Sequence, residues 1–334
     1  MLQVSRYTAD DKDTWDEFVK ESNNGTIFHL QQFLEYHADK NIRLWHHVIF
    51  KEDGHIIALL PGALIPEMNP NTLALEETFV SPYGASYGGL VIPTNLKLKV
   101  ACRIVSTFQQ YLHEKRICKA IMVMSPPILW KQPHEHLDFA LLSHHYQYAP
   151  FELTYTIPLR TDIIQLLSKA GLGAVKQAEQ YGLTVDEVAG PNQYAQFYEI
   201  LLQNKQERHN ATPTHTLTEL LWLKEHLPHL VRLYLVYSDS EKPIAGSLVF
   251  ILNARAAMTF YIAHIPEDQS LRPTNLLLFK IMMRLKKEGF EHLDLGTTAR
   301  LADIDKWQSY LFKESLGGRG TFRRRFLWPM EQLP

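Results

Sequence analysis

The segment FKESLGG, Phe312 to Gly318, places one cation beside two glycines. Lys313 supplies an ammonium group, and Gly317 and Gly318 allow a ligand to approach the backbone closely. An ammonium group near accessible backbone N–H groups favours an anionic ligand. We therefore expect Lys313, Gly317 and Gly318 to contact the anionic part of a ligand. An ordinary solvated lysine is the alternative, since most lysines lie at the surface.

A second cation stands directly before PTNLLLFKIMMRLKK, whose spacing predicts an amphipathic helix. Proline is tolerated in the first turn of a helix, and Thr274 or Asn275 can cap the free N–H groups there. Pro273 removes one N–H donor, and Arg272 can replace it by a bidentate contact with a phosphate. We therefore expect Arg272, Thr274 and Asn275 to bind an anionic ligand as well.

Two further segments carry groups that can move a proton or hold a negative charge. Asp294, in HLDLG, ends an apolar run that predicts a parallel strand, and open α/β sheets present functional groups at such ends. The polar segment QERHNATPTHT contains Arg208, His209 and His215. We expect Asp294 and His209 to handle protons and Arg208 to bind a phosphate or carboxylate. A turn-capping aspartate and a solvated loop are the alternatives.

A stretch of small and aromatic residues, SPYGASYGGLVIP, follows a predicted strand in the first half of the chain. Small residues permit close approach of a ligand, and tyrosines offer ring faces and hydroxyl groups. We expect Tyr83, Ser86 and Tyr87, together with Tyr261 from the second half, to bind a second ligand in a cleft between two domains. A turn followed by a strand bulge is the alternative for the glycines.

Composition limits what these groups can belong to. With 334 residues the chain is long enough for two domains, and its formal charge of -2 excludes the broad basic surface of a duplex-binding protein. Two cysteines give no disulfide framework, so a reducing cytoplasm is expected. The apolar run from Ile56 is short and interrupted by Pro61, which argues against a membrane span. The sixteen histidines lack the spacing of a zinc site, so no metal is expected.

The order of predicted elements is similar in the two halves. A hairpin is expected around Asp53-Gly54. Each half then shows a crossover helix that opens with Pro-Thr-Asn and a final apolar strand, KAIMVMSPP in the first and HLDLG in the second. The first crossover helix is expected from about Thr94 to His113. This repetition predicts a duplicated mixed α/β domain, with residues 1–152 and 153–334 as the two copies.

The most basic segment, GTFRRRFLW, is expected to be one strand near the edge of a sheet. Alternation would place Arg323 and Arg325 on one face and Phe322, Arg324 and Phe326 on the other. Either an interaction with phosphates or protection of the edge from self-pairing would explain the arginines.

Several segments resemble the FemAB group of the GNAT acyltransferase superfamily, in which two such domains follow each other in one chain. They are WDEFVKESNNGTIFHLQQFL, KQAEQYGLTV, RPTNLLLFKIMMRLKKEGFEHLDLG and FKESLGG, in this order over nearly the whole chain. The resemblance implies an α/β fold of two tandem GNAT-like domains, each a mixed, mostly antiparallel sheet flanked by helices. It also implies transfer of an acyl or aminoacyl group to a small-molecule or peptide amine. The anion-binding residues above would then hold the donor, and the tyrosines and Ser86 the acceptor.

The sequence departs from the ordinary GNAT pattern before the second crossover helix. GNAT enzymes carry a glycine-rich turn there, whose N–H groups reach the pyrophosphate of coenzyme A, whereas this chain has SLRPTN. The missing glycine turn argues against assuming acetyl-CoA, and the donor that the resemblance implies is an acyl-CoA or another activated acyl group. Two alternatives remain: a non-catalytic binding protein with degenerate GNAT domains, and a cell-wall aminoacyltransferase that uses aminoacyl-tRNA. The second is disfavoured because Asn192 to His226 is too short for a large helical arm.

Overall fold

The structure is a computed structural model that describes residues 1–37, 44–68, 73–149, 152–239, 242–300 and 307–329. The chain forms two compact units. The first unit comprises Met1–Glu152 and the segment that begins at Phe322, and the second unit comprises Leu153–Thr321. The C-terminal segment thus groups with the first unit, whereas the sequence pattern had placed it in the second.

Both units contain strands and α-helices. The strands are β1 Leu2–Arg6, β2 Val48–Glu52, β3 His55–Leu60, β4 Ala63–Met68, β5 Leu75–Ser81, β6 Lys119–Val123, β7 Gln147–Tyr148, β8 Glu152–Pro158, β9 Thr184–Val188, β10 Val231–Tyr237, β11 Pro243–Ile251, β12 Ala256–His264, β13 His292–Arg300, β14 Arg319–Arg323 and β15 Arg325–Trp328. The α-helices are α1 Lys12–Glu21, α2 Gln31–Leu34, α3 Leu98–Glu114, α4 His136–Ser143, α5 Ile163–Leu166, α6 Lys169–Gln180, α7 Pro191–His209, α8 Leu217–His226, α9 Pro273–Lys287 and α10 Trp307–Ser315. Short 3-10 helices lie at Ala9–Asp11, Ile27–His29, Glu35–His37, Pro127–Leu129 and Pro266–Leu271.

The first unit contains two sheets. Strands β1, β2 and β3 form an antiparallel sheet, and the expected hairpin joins β2 to β3. Asp53 and Gly54 both have positive φ, 50° and 82°, which matches the two-residue turn that the right-handed twist of a hairpin favours. The other sheet has the order β4-β5-β6-β15-β7, with β5 parallel to β6.

The second unit is built on one seven-stranded sheet of order β14-β8-β13-β12-β11-β10-β9. Strands β9 to β12 pair antiparallel, and β12 pairs parallel with β13. Helix α9 buries its apolar residues in the core formed with one face of this sheet. Helix α7 packs against β11 and β12. A Cβ on Gly246 of β11 would lie 2.6 Å from Cδ2 of Phe197 on this helix. Among the described residues, no helix has both the length and the apolar character needed to cross a bilayer.

Among the described pairings, each unit shows a parallel strand pair joined by a crossover helix. Helix α3 connects β5 to β6 in the first unit, and α9 connects β12 to β13 in the second. A parallel pair needs such a crossover connection because the chain must return to the same end of the sheet. The predicted fold class, an α/β tandem of mixed, mostly antiparallel sheets flanked by helices, is confirmed.

The two Pro-Thr-Asn segments do not start equivalent helices. Pro273 is the first residue of α9, as predicted. In the first unit, the N–H of Leu96 donates to the carbonyl of Pro93 in a turn, and α3 begins later, at Leu98. The extended backbone of Lys97, φ -95° and ψ 148°, separates the turn from the helix. The expected helix start at Thr94 is therefore wrong.

The arginine-rich segment forms two strands instead of one. Strand β14 joins the sheet of the second unit, whereas β15 lies between β6 and β7 in the first. Arg324, at the break, forms ion pairs with Asp138 and Glu135. The expected alternation is therefore wrong: the side chain of Phe322 is 57% exposed, whereas that of Phe326 is fully buried.

This difference gives a matched pair of substitutions. Phe326→Ala should lower the free energy of unfolding by about 3 to 5 kcal/mol, because it removes a buried aromatic ring from the core of the first unit. Phe322→Ala should change it by less than about 0.5 kcal/mol, as exposed positions usually do. Urea unfolding followed by tryptophan fluorescence measures both values. Equal effects of the two substitutions would contradict the division into two strands.

Candidate functional site

The second sheet opens between two of its central strands. Among the described residues, the parallel ladder between β12 and β13 comprises three pairs, at Ala256–Met258 with His292–Asp294. Both strands continue for six residues beyond these pairs. A parallel pair that separates in this way exposes backbone N–H and C=O groups, against which an extended ligand can lie as an added strand does.

Gly296 lies where the ladder has just ended. Its φ of 74° is in the left-handed region, which only glycine adopts at little cost. A Cβ at this position would lie 3.5 Å from Cε of Met258 and 3.8 Å from the carbonyl oxygen of Thr259. Gly296 therefore borders the opening, next to the last paired residues of β12.

A fully buried carboxylate stands two residues earlier on the same strand. Asp294 is 0% exposed, and its Oδ1 accepts hydrogen bonds from Thr154 Oγ1 at 2.5 Å and from the Gly296 N–H at 2.8 Å. The hydroxyl of Thr259 donates to its backbone carbonyl. Asp294 was expected at the carboxyl end of a parallel strand, but β13 continues to Arg300, so Asp294 is its third residue and the last one paired with β12. Its side chain holds the backbone N–H of Gly296.

Lys313 reaches the same place from α10. Its Nζ donates to the carbonyl oxygen of Gly296 at 2.7 Å, and the side chain is 8% exposed. Burial lowers the pKa of Lys313 to about 8, while the negative charge of Asp294 acts in the opposite direction. The ammonium group lies 6.0 Å from the ring centre of Tyr155 on β8. The structure thus brings Lys313 and Asp294 together, and it places a partly titrating cation at the opening of the sheet.

Gly317 and Gly318 close the helix that carries this lysine. Gly317 has φ 85°, and the N–H groups of Gly317 and Gly318 donate to the carbonyls of Glu314 and Lys313. This is the left-handed ending that glycine favours after a helix. A Cβ on Gly318 would lie 2.7 Å from the Lys313 carbonyl, so the glycine also fixes the backbone of Lys313. Their expected contact with a ligand stays a prediction.

A surface cleft of about 390 Å³ lies on the other side of α10. Helix α6 contributes small residues to it, α9 contributes Arg272 and Asn275 from its first turn, and α10 contributes Phe312 and Ser315. Gly171 allows α6 to approach α10 closely, since a Cβ there would lie 2.3 Å from the Ser315 carbonyl. Phe312 of α10 therefore faces the cleft, whereas Lys313 of the same helix faces the opening of the sheet.

Arg272 stands at the entrance of α9 in an unusual conformation. Its φ of 62° is in the left-handed region, although it is not glycine, and its side chain is exposed. Such a conformation costs about 1 kcal/mol for a residue with a Cβ. Thr274 lies in hydrogen-bond distance of His264, with 3.3 Å between Oγ1 and Nδ1, which ties the helix start to the end of β12. The three predicted anion-binding residues of this segment are thus adjacent, and two of them line the cleft.

The polar segment after residue 205 is only partly a loop. Helix α7 continues to His209, so Arg208 and His209 belong to its last turn; their side chains lie outside the described part of the structure. His215 is 4% exposed, and its Nδ1 lies 2.7 Å from the hydroxyl of Tyr261 on β12. The ring of His215 also contacts Phe260 edge to face. Tyr261 therefore contacts a histidine in the half of β12 that pairs with β11 but has no ladder pairs with β13.

In the first unit, the glycine-rich segment lies beside β6, at the position that corresponds to the opening between β12 and β13 in the second unit. After the β5–β6 ladder, Gly88 pairs parallel with Met124, and its N–H donates to the Val123 carbonyl. Gly89 has φ 78°, and a Cβ there would lie 1.9 Å from Sδ of Met124. The glycines thus serve a close backbone approach within the unit.

The tyrosines of this segment differ in exposure. Tyr87 is 1% exposed and packs edge to face on Phe28, with the guanidinium group of Arg323 over its ring. Tyr83 and Ser86 are partly exposed. They belong to the first unit and Tyr261 to the second. Their binding of an acceptor stays a prediction.

Metal binding finds no support among the described residues, where no three His, Cys, Asp or Glu side chains converge. His134 and His136 lie side by side with ring centres 4.8 Å apart, and His136 Nδ1 contacts the Leu96 carbonyl.

Sequence reasoning missed the β8 residues that support the lysine. In ELTYTIP, Thr154 and Thr156 alternate with Tyr155 and Ile157, so two hydroxyls share one face of a buried strand. Buried polar groups on a strand need partners, and this alternation was the available signal. The partner of Thr154, Asp294, lies 140 positions away, which no local pattern reveals.

Comparison with known proteins agrees with this geometry. Residues 173–308 match the family model described as "Acetyltransferase (GNAT) domain". The fold is similar to that of FemX (TM-score 0.71, 13% identity, 98% of this chain and 97% of that chain), and to that of L-PGS from Bacillus licheniformis (0.62, 12%, 97% and 94%). It is also similar to that of a tandem GNAT protein from the clavulanic acid biosynthesis pathway (0.53, 12%, 100% and 100%). No curated protein sequence is significantly similar to this chain.

These likenesses fit the parallel pair with its crossover helix in each unit. The family match, residues 173–308, lies within the second unit and includes the β12–β13 pair and the start of α9, whereas Lys313 follows its end. Residues 173–308 of the second unit therefore resemble a GNAT acetyltransferase domain, and the chain shares its fold with FemX and with a tandem GNAT protein.

Proposed function

We propose that the second unit binds the activated acyl group in the opening between β12 and β13, beside the ammonium group of Lys313. The observation that carries this proposal is the position of a buried lysine at the carbonyl of Gly296, where the parallel ladder has just ended. A cation kept out of water is costly, and such groups are concentrated at functional sites. Low solvent exposure also strengthens its attraction for negative charge.

The donor we propose is an acyl-CoA, with its phosphates at the first turn of α9. Arg272 and Asn275 line the cleft there, and Phe312 offers an aromatic face. The N-terminus of a helix attracts anions, although Pro273 leaves it one N–H group fewer. The solved structure of the tandem GNAT protein with the similar fold is named as one without AcCoA. Acetyl-CoA is therefore the first donor to test.

The reaction joins the amine nitrogen to the acyl carbon. The nitrogen lone pair attacks the carbonyl carbon, an oxyanion forms, and the C–S bond of the thioester breaks as the carbonyl is restored. The nitrogen loses one proton, which ends on the thiolate leaving group through water. Lys313 stabilises the oxyanion or the donor's negative charge, since a preorganised cation is most effective where charge develops.

The acceptor we propose is a small-molecule or peptide amine. Tyr261, which contacts His215 in the part of β12 beyond the ladder with β13, is the acceptor-side candidate in the second unit. Tyr83 and Ser86 remain candidates in the first unit. The free thiols of Cys102 and Cys118 are compatible with a cytoplasmic location, which we also propose.

Calorimetric titration with acetyl-CoA, coenzyme A and an aminoacylated acceptor-stem microhelix tests the donor class. We expect acetyl-CoA to bind and to acetylate a primary amine from a panel of amines and amino-terminal peptides, detected by mass spectrometry. Binding of the aminoacylated RNA in its place would move the chain to an aminoacyl-tRNA donor. Binding of neither would contradict the donor site.

Lys313→Met should weaken acetyl-CoA binding at least tenfold and, at pH 7, raise the free energy of unfolding by about 2 kcal/mol. The stabilisation follows because Met removes the cost of burying an ammonium group, less one hydrogen bond to Gly296. Calorimetry and urea unfolding measure the two effects. Lys287→Met, at an exposed position at the end of α9, is the control and should change neither. Unchanged affinity in Lys313→Met would remove the lysine from the site.

The affinity for acetyl-CoA should depend on pH through the same lysine. Its pKa in the folded protein is about 8, so the ammonium form predominates below pH 8 and is lost above it. Affinity should therefore be constant up to about pH 7 and fall up to about tenfold per pH unit above 8. Stability should change in the opposite sense, rising between pH 8 and about 10.4, because the unfolded lysine binds its proton more tightly. An affinity that is flat from pH 7 to 9.5 would contradict the assignment.

Arg272→Gly separates binding from folding at the start of α9. Glycine relieves the left-handed backbone, so stability should rise by about 1 kcal/mol, while the loss of the guanidinium group should weaken acetyl-CoA binding about tenfold. Arg116→Gly is the matched control, because Arg116 also has positive φ, 59°, and is exposed in the first unit. Arg116→Gly should raise the free energy of unfolding without changing the affinity for acetyl-CoA. Equal affinities of the two variants would place the phosphates elsewhere.

A further inference from the structure

Both polar groups of one backbone residue are engaged by buried side chains from different elements. The Gly296 N–H donates to Oδ1 of Asp294, on the same strand, at 2.8 Å. The Gly296 carbonyl accepts from Nζ of Lys313, on α10, at 2.7 Å. The carboxylate and the ammonium group are thus connected through a single peptide residue, whose positive φ only glycine adopts easily.

Asp294 is itself held from the neighbouring strand. Thr154 on β8 donates its hydroxyl to the same Oδ1, at 2.5 Å. Both Thr154 and Asp294 are 0% exposed. A buried carboxylate requires such donors, because removal from water without hydrogen bonds costs several kcal/mol. The hydroxyl therefore fixes the orientation of the Asp294 side chain.

This burial points to a role for Asp294 other than the expected proton transfer. A general base must come within hydrogen-bond reach of the proton that it accepts. Asp294 is fully buried, and its Oδ1 already accepts two hydrogen bonds. Its effect on the reaction is instead transmitted through Gly296 and through its charge.

Other ionisable groups around Lys313 are weaker candidates for this role. Tyr155 on β8 presents its ring, 6.0 Å from the ammonium group, and its hydroxyl donates to Glu314 at 3.1 Å. Burial and the neighbouring Glu314 raise the pKa of Tyr155 to about 12, so it stays neutral near pH 8. Tyr310 on α10 lies against Tyr155. Asp294 is the group whose negative charge raises the pKa of Lys313.

We propose that Thr154 and Asp294 are positioning residues that hold the Gly296 turn and thereby keep the Lys313 ammonium group charged and aimed at the opening between β12 and β13. The proposal deepens the proposed function, on which it rests for the donor contact of Lys313. It assigns to the β8 strand, which lies outside the opening, a part in setting the charge of the site.

The test is an NMR titration of the Lys313 side chain in protein labelled with ¹³C-lysine, its Cε signal being identified by its absence in Lys313→Met. Asp294→Asn keeps the size of the side chain and removes the charge, so the midpoint should fall by about one pH unit below that of the unchanged protein. Thr154→Val should lower it by a smaller amount, and Thr154→Ser should restore it, because serine keeps the hydroxyl group. Acetyl-CoA affinity should decrease in the same order at pH 8.

Thr156→Val is the matched control. Thr156 lies two residues along the same strand, is 2% exposed, and its hydroxyl has no hydrogen-bond partner among the described residues. Its replacement should leave the midpoint unchanged.

An unchanged Lys313 midpoint in both Asp294→Asn and Thr154→Val would overturn the positioning role; should Asp294→Asn fail to fold, the Thr154 variants decide alone. The titration needs no substrate, so it separates this proposal from the donor assignment. A shifted midpoint with unchanged acetyl-CoA affinity would uphold the network and reject Lys313 as a donor contact.

Discussion

The second unit depends on a parallel strand pair whose ladder ends after three pairs. Backbone groups of a sheet must be paired with one another or with something else, and strands that separate leave such groups for a ligand. Here Gly296 lies where the strands separate; its N–H donates to Asp294, and its carbonyl accepts a hydrogen bond from Lys313. The hydrogen bonds that hold Gly296 also position the Lys313 ammonium group. A change in the backbone at Gly296 would therefore also move the cation.

This arrangement has a cost in stability. Lys313 is almost fully buried, and its pKa is lowered to about 8 because the interior favours the neutral amine. Arg272 adopts a backbone conformation that glycine would adopt more easily. Both positions retain a cation where a neutral or smaller residue would be more stable. Strain and buried charge of this kind are commonly found where function requires them.

The two units share one architecture and differ in what occupies the equivalent place. In the second, β12 and β13 separate and leave the opening beside Lys313. In the first, Gly88 continues the parallel pairing beside β6, and Gly89 packs against Met124 without room for a Cβ. A repeated fold thus carries one open and one filled strand pair, which is consistent with a single donor site, proposed for the second unit.

Local patterns were sufficient for much of the fold. Helical spacing and a proline in the first turn located α9, and Asp53-Gly54 located a hairpin, because capping and turn preferences act over a few residues. They failed at Phe322 and Phe326, since alternation along one strand cannot reveal that the chain leaves one sheet for another. They also failed at Thr94, where a turn precedes the helix.

The sequence by itself determined the residue types of the site, a lysine beside glycines, an arginine before a helix and an aspartate in a strand. The tertiary structure alone decided that Asp294 and Lys313 meet at Gly296, that Thr154 supports them, and that Arg272 and Phe312 line one cleft. The physical reason is distance along the chain. Propensities and caps are properties of neighbouring residues, whereas burial, hydrogen-bond partners and pKa values depend on contacts between segments that only folding brings together.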